Sequence, residues 1–306
     1  MSDPHIHVPL IPECSACIVR SLGILVSNLT ENSEEQFTLY AHALKRLSEG
    51  YEKRIRPHPL SVRIYQELCE MADAREDPYD EIKAASNLAA KRALPAVESI
   101  VNQHQGYERL RAAVMASIAG NLIDFNTAAH EPELDRLEED FVTLLGEGFH
   151  PDNSRDLYDR IVSGTGSAVY LADNAGETLL DIPLLRFLVS NDWRVTYVVK
   201  GRAMVNDATR EDVVDTEIER LATIEDTGAW AHGVPLDLVS EEFMDTVRSA
   251  DLVLSKGQAN IETFPQIQDQ IGVETYYITR AKCSHIAQAV GAQKSANVIL
   301  RRAVRK

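Results

Sequence analysis

Ala168-Val169-Tyr170-Leu171-Ala172-Asp173-Asn174-Ala175-Gly176-Glu177 is an apolar run that stops abruptly on an acidic turn. The residues up to Ala172 have strand composition, and the run from Thr178 to Val189 is compatible with a helix. Strand, tight turn and helix in that order form the unit of an open α/β sheet, whose ligands bind outside the carboxyl ends of the strands. Side by side, Asp173 and Asn174 offer hard oxygens to one cation. Gly176 lets the backbone approach an anion at the start of the helix. The competing reading of an isolated Asp-Asn is a helix cap or an Asx turn.

Downstream of the polar stretch His150-Pro151-Asp152-Asn153-Ser154, short β-branched runs alternate with helical segments: Ala168–Ala172, Arg194–Val199, Ala222–Glu225, Asp251–Leu254 and Thr275–Thr279. That alternation predicts an α/β fold with a Rossmann-like, mostly parallel sheet and helices on both faces. Upstream the chain reads as helix after helix: Cys14–Leu29, Glu34–Arg54, Ser61–Arg75, Tyr79–Gln103, Tyr107–Ala128 and Glu133–Leu145. Pro57 and Pro59 break one helix before the next, and Pro95 is expected to end or kink the fourth. The expected organisation is therefore an all-helical N-terminal subdomain, a cap over residues 1–155, and a Rossmann-like metal- and phosphate-binding domain over 156–306.

Three strand ends finish on polar residues of one chemical kind. The first is Asp173-Asn174-Ala175-Gly176-Glu177. The second is Lys200-Gly201 leading to Asn206-Asp207-Ala208-Thr209, and the third is Ser255-Lys256-Gly257-Gln258-Ala259-Asn260-Ile261-Glu262. In a parallel sheet all strand carboxyl ends lie at one edge, so these turns converge although tens of residues separate them. Asp173, Asn174 and Asp207 make a carboxylate, carboxamide and carboxylate set that suits an octahedral divalent ion. Lys256 is placed to meet phosphoryl oxygens as a point charge, with backbone amides near Gly176 and Gly257 hydrogen-bonding them. Taken one at a time, Asn206-Asp207-Ala208-Thr209 also reads as an N-cap for a helix Arg210–Leu221, and Lys256 as a solvated turn residue.

A chain of 306 residues with 44% hydrophobic content is long enough for a packed α/β domain. Its net charge of -16 argues against a nucleic-acid surface, which rewards Lys/Arg clusters. No apolar run approaches membrane-spanning length and the start lacks a basic, then apolar, signal segment, so no membrane partner and a cytoplasmic location are expected. Cys14 and Cys17 sit three apart on an expected helix and share a face, and Cys283 approaches from the last part of the chain. Soft-metal binding, a redox pair and burial are all open for these three thiols. With Cys14 and Cys17, His5 and His7 would complete a Cys2His2 ligand count but lie in a Pro-rich terminal segment, and Cys69 reads as a core residue.

In this order and spacing, Asp-Asn-Ala-Gly-Glu, Lys-Gly with Asn-Asp-Ala-Thr, and Ser-Lys-Gly-Gln-x-Asn-x-Glu resemble the metal-dependent damage-control phosphatase family, also described as domain of unknown function 89. Asp77-Pro78-Tyr79 with Lys83 and Asn87, and Ala119-Gly120-Asn121-Leu122-Ile123-Asp124-Phe125, resemble its signatures in the helical half. Glu13-Cys14-Ser15-Ala16-Cys17 and Ala281-Lys282-Cys283 resemble the branch common in archaea and bacteria. The resemblance implies hydrolysis of phosphate monoesters of small metabolites, sugar phosphates or damaged phosphometabolites, with one divalent ion, Mg, Mn, Co or Ni. It puts the metal ligands on Asp173, Asn174 and Asp207; with the strand-end reading, the catalytic candidates are Asp173, Asp207 as ligand and water-orienting group, and Lys256 offsetting charge in the transition state. Gly176, Glu177, Gly257, Asn260, Asn87, Asn121 and Asp124 are its substrate- and phosphate-binding candidates. Two departures stand out: Ala259 where glycine is usual, and Pro183, which sets the helix proper to begin near Asp181 or Ile182.

Other functions fit these residues less well. A carboxylate methyltransferase on a Rossmann-like sheet would show a Gly-rich turn after the first strand, where this chain has an acidic one. A phosphatase working through an aspartyl-phosphate would need Asp-x-Asp-x-Thr, but Asp173 is followed two places on by Ala175. A non-enzymatic protein centred on a cysteine-bound metal would leave the three strand ends unexplained.

Overall fold

The computed structural model describes residues 6–120 and 134–304. Its first half carries α1 (Cys14–Leu29), α2 (Ser33–Glu52), α3 (Pro57–Met71), α4 (Asp80–Asn102), α5 (Gly106–Ala119) and α6 (Leu134–Glu147). The second half alternates α7 (Ser154–Val162), β1 (Gly166–Leu171), α8 (Glu177–Leu180), α9 (Ile182–Val189), β2 (Trp193–Val199), α10 (Ile218–Leu221), β3 (Ala222–Asp226) and α11 (Glu241–Arg248). It ends with β4 (Leu252–Lys256), α12 (Gln258–Ile271), β5 (Thr275–Arg280), α13 (Ser284–Ala289) and β6 (Asn297–Arg302). One sheet takes the order β3-β2-β1-β4-β5-β6, parallel except for β6, which runs antiparallel to β5. The order reverses between β1 and β4, and the crevice at such a switch point is where open α/β sheets hold ligands.

Successive strand residues point to opposite faces, and here both faces are covered. Ala168, Tyr170, Val195, Tyr197, Leu252 and Leu254 pack against α4, α5, α7 and α9, whereas Val169, Leu171, Val198, Val253 and Tyr277 pack against α11, α12 and α13. This two-sided burial is why the strands read as continuous apolar runs. The helical half does not pack as one body. Side chains of α4, α5 and α6 share the core of one sheet face, while α1, α2 and α3 form their own cluster against Met204, Ala229 and Ala231 in the loops after β2 and β3.

Several local expectations change. Pro95 does not end α4, which runs through it, because Ala90, Ala93, Val97 and Val101 are buried on both sides of it and hold the helix by packing. Pro57 opens α3 rather than preceding it, since first-turn N–H groups have no intrahelical partner to lose. Pro183 sits in the first turn of α9, which starts at Ile182 as expected. Strand β6 was not among the expected runs; Arg302, 2% exposed, ties it to α12 through Gln268 Oε1 at 2.8 Å and Asp269 Oδ1 at 2.7 Å. Among the described residues no helix is long and apolar enough to cross a membrane.

Helices α2 and α3 are joined by Glu67, which accepts from Arg46 Nε and Nη2, each at 2.7 Å, and lies 2.9 Å from His42 Nε2. Burial works against the Glu67 charge, but Arg46, His42 and Arg63 outweigh it and hold the carboxyl at about 2. A depressed carboxyl stabilises the fold above its ordinary range near 4.5, and that contribution disappears as pH falls through about 2. Glu67→Gln is therefore expected to lower stability by about 1–3 kcal/mol at pH 7, with the gap from wild type closing toward pH 2.5 in urea unfolding.

Candidate metal and phosphate site

The acidic turn is built by pairing. Asn174 and Asp207 form an isolated antiparallel bridge, with Ala175 N donating to Asn206 O and Ala208 N to Asp173 O, both at 2.9 Å. Those bonds set Asp173, Asn174 and Asp207 side by side at the carboxyl ends of β1 and β2. None of the three caps a helix. Gly176, which has no side chain to cap with, is the N-cap of α8, while Thr209 and Asp212 form the capping box of the 3-10 turn Arg210–Asp212. The helix expected over Arg210–Leu221 is only that turn plus α10, interrupted where Asp215 takes φ 58°.

Two glycines make the packing possible. Gly257 has φ 91°, and a Cβ there would overlap the Asp173 carboxylate. Gly176 has φ 77°, and its Cβ would stand 2.8 Å from the Ser86 carbonyl oxygen of α4. Any side chain at either position displaces the turn.

The donor set fits a divalent cation. Asp207 Oδ2 is buried with no hydrogen-bond partner and stands 3.7 Å from Lys200 Nζ. Asn174 Nδ2 donates to Glu177 Oε1 at 2.9 Å and Asp173 Oδ2 at 3.3 Å, leaving the Asn174 Oδ1 acceptor to a ligand. Burial pushes the Asp173 and Asp207 carboxyls up; the Glu177 charge adds to this at Asp173, and the Asp173 charge adds to it at Asp207 against the pull of Lys200. Four buried carboxylates (Asp173, Glu177, Asp181, Asp207) stand with two buried ammonium groups (Lys200, Lys256), a balance that one dication closes. Among the described residues no three acidic, cysteine or histidine side chains stand together at metal-ligand spacing, and this set takes its third donor from a carboxamide.

Other expected site residues hold this turn rather than face a ligand. Lys256 Nζ is 2.9 Å from Asp181 Oδ1 and 3.1 Å from Glu177 Oε2, and is 2% exposed, so its charge is directed at two carboxylates and not at an open phosphoryl position. Burial opposes that charge but Asp181 and Glu177 raise the lysine's pKa. The amide of Gly176 is taken by Asn87 Oδ1 at 2.6 Å and that of Gly257 by Ile278 O at 2.9 Å, so neither is free for phosphate. Asn260 Nδ2 binds the carbonyls of Ala172 at 3.1 Å and Lys256 at 2.6 Å, fastening β1 to β4. Asn87 Nδ2 reaches Asp212 Oδ1 at 3.0 Å, and Asp212 also meets Lys83 Nζ at 2.8 Å, which ties α4 to both turns. Asn121 and Asp124 lie outside the described residues. Ala259 falls in the first turn of α12, where alanine favours the helix.

Asp173, Asn174 and Asp207 line a cavity of about 400 Å³. Its walls bring in residues to which the sequence reading gave no role at this site. Lys282, exposed and close enough to lower the Asp173 carboxyl, follows the end of β5, a fourth strand end at the same edge. Glu262 has no hydrogen-bond or ion-pair partner among the described residues, and burial pushes it up to about 7 against the pull of Arg56. The imidazoles of His58 and His232 are kept neutral by burial, His58 at about 4. Ile18, Leu22, Leu25, Met204 and Val205 supply an apolar wall. Cys14, Cys17 and Cys283 line the cavity too, all free thiols, and burial pushes Cys14 and Cys283 up. Cys69 is buried in the α1–α3 cluster.

Residues 10–298 match the family profile described as a damage-control phosphatase ARMT1-like domain. The chain is 34% identical over 299 residues to an uncharacterized protein, MJ0202, of Methanocaldococcus jannaschii, covering 96% of each. It is 30% identical over 290 residues to damage-control phosphatase PH1575 of Pyrococcus horikoshii, covering 94% of this chain and 96% of that one. A damage-control phosphatase of Archaeoglobus fulgidus is 28% identical, with 92% and 94% covered. The crystal structure of the DUF89 family protein PH1575 superposes with a TM-score of 0.82 at 29% identity, over 96% of this chain and 99% of that one.

Proposed function

Because the chain belongs to the damage-control phosphatase ARMT1-like family, we propose that it hydrolyses phosphate monoesters of small metabolites, sugar phosphates or damaged phosphometabolites, with one divalent ion, Mg, Mn, Co or Ni. The observation that carries this reading is the trio Asp173, Asn174 and Asp207 at the carboxyl ends of β1 and β2, beside the β1/β4 switch point, with a buried oxygen on Asp207 that has no hydrogen-bond partner, opening into a cavity. These three side chains would hold the ion, which when bound supplies Lewis-acid polarisation of the phosphoryl group.

The remaining work falls to the chain. Lys282 offers its ammonium to the phosphoryl oxygens, the role expected of Lys256, since it is the cation exposed in this cavity beside Asp173. Asp207 orients the attacking water through the carboxylate oxygen that no protein donor occupies. Lys256, Glu177 and Asn174 form a relay of fixed contacts that keeps the Asn174 amide turned so that its oxygen faces the ion. The ester's organic part rests on the wall of Ile18, Leu22, Met204 and Val205.

The test is phosphate release from a panel of phosphate esters by untreated protein, by protein stripped with EDTA, and by stripped protein given each of the four ions. Release should vanish on stripping and return with at least one ion. Equal release before and after stripping, with none lost in Asp173→Ala, overturns the reading.

A further inference from the structure

Away from the acidic turn, the cavity wall carries a carboxylate with no hydrogen-bond or ion-pair partner among the described residues, Glu262. It lies one turn beyond Gln258 on α12, about 6 Å along the axis, and both side chains line the cavity. Gly257, the N-cap of α12, packs on the Asp173 carboxylate, so the helix leads from the hard-oxygen site to Glu262. Two cations stand near enough to matter. Arg56, the N-cap of α3, draws the Glu262 carboxyl down but is not in the cavity wall: with the Gln266 amide turned to accept, its Nη1 and Nη2 each donate to Gln266 Oε1 at 2.8 Å, one further turn along α12. Lys282 is exposed in the wall, and its charge is felt at Asp173 and not at Glu262. The other neighbours add no positive charge. Burial keeps the imidazoles of His58, His232 and His285 neutral and pushes the Cys14 and Cys283 thiols up, with the Glu262 charge adding to that push, and Glu13 is a second carboxylate.

The cavity is therefore polarised along its length. Lys282, with a cation held by Asp173, Asn174 and Asp207, makes one end positive, and Glu262 with Glu13 makes the other negative. We propose that Glu262 receives an ammonium group on the organic part of the phosphorylated ligand, so that the cavity selects amino-bearing phosphate monoesters. This inference rests on the reading of the first site as a phosphoryl site. An ammonium supplies what the Glu262 carboxyl lacks, three donors on one compact charge. Such a charge also draws the carboxyl back to its ionised form against the burial that pushes it up to about 7. A hydroxyl brings one donor and no charge. The carbon chain between phosphate and ammonium would lie on Ile18, Leu22 and Met204, the apolar stretch of the wall.

Phosphonates, which are not hydrolysed, test the assignment apart from catalysis. Calorimetric titration of the full chain with Mn²⁺ present compares ω-aminoalkyl, ω-hydroxyalkyl and plain alkyl phosphonates of matched length, over several lengths. At the best length the amine should bind at least about tenfold tighter than the other two, and Glu262→Gln, checked by circular dichroism, should erase that margin. The corresponding phosphate esters should show the same margin in KM, lost in Glu262→Gln. A wild type that binds the amine no tighter than the alkyl phosphonate, a hydroxyalkyl phosphonate that shares the advantage, or a margin that survives Glu262→Gln overturns the proposal. A margin that depends on Glu262, with no ester hydrolysed under any of the four ions, supports the ammonium site and overturns only the phosphatase reading.

Discussion

Asp207→Ala is expected to lower phosphate-ester hydrolysis by at least about 100-fold, since even groups behind a metal ligand carry 10- to 100-fold of metal affinity. The same variant should not be less stable than wild type once metal is stripped. Asp207 is 5% exposed, its Oδ2 has no hydrogen-bond partner, and its charge repels Asp173 in the same buried cluster. Removing it relieves that repulsion and leaves Lys200 Nζ its 2.8 Å bond to the Ala172 carbonyl. Function and stability are thus set against each other at one side chain. Thermal melts read this directly. Wild type should gain several degrees on adding Mn²⁺ or Mg²⁺, as any ligand that binds only the native state requires, whereas Asp207→Ala should start level or higher and gain nothing. A variant that keeps both the metal-induced gain and full hydrolysis would remove Asp207 from the site.

The sequence carried the edge of the sheet further than the identity of each role. Continuous apolar runs in Tyr170–Ala172, Val195–Val199 and Leu252–Leu254 announce strands buried on both faces, and the rule that parallel strands end at one edge brings Asp173 and Asp207 together. The same rule applied to β5 reaches Lys282 and Cys283, but Thr275–Thr279 was read as a strand without following its end. Lys256 and Asn260 look like ligand groups in a string of letters. Their partners, Asp181 and the carbonyl of Ala172, stand 75 and 88 residues away, and only packing reveals that they are engaged. His285 gave no signal at all, because one histidine two residues after a cysteine meets Cys14 only through the fold.

Asp181→Ala should be the most damaging substitution to the fold in this region, at about 3–5 kcal/mol, the cost of removing one partner from a buried ion pair. Asp181 is wholly buried and collects donors from three central strands: Tyr170 of β1 at 2.8 Å, Tyr197 of β2 at 2.6 Å and Lys256 of β4 at 2.9 Å. Burial raises its carboxyl against those donors. We read the pair as ionised, because both oxygens are hydrogen-bonded and Lys256 has a second carboxylate in Glu177. Without Asp181, two phenols lose their acceptor and the ammonium keeps only Glu177. Lys256→Met should cost less, since Asp181 retains both phenol donors and can take up a proton. The double variant Asp181→Leu with Lys256→Met should recover much of the loss, because a buried pair replaced as a unit by apolar groups is often neutral. Urea unfolding of wild type, Asp181→Leu, Lys256→Met and the double variant gives the coupling between the two sites. If Lys256 acted only on phosphate, Lys256→Met would abolish hydrolysis with unchanged unfolding and the double variant would show simple additivity. The geometry instead predicts strong non-additivity in stability, with hydrolysis falling because Glu177, and through it Asn174, loses its anchor.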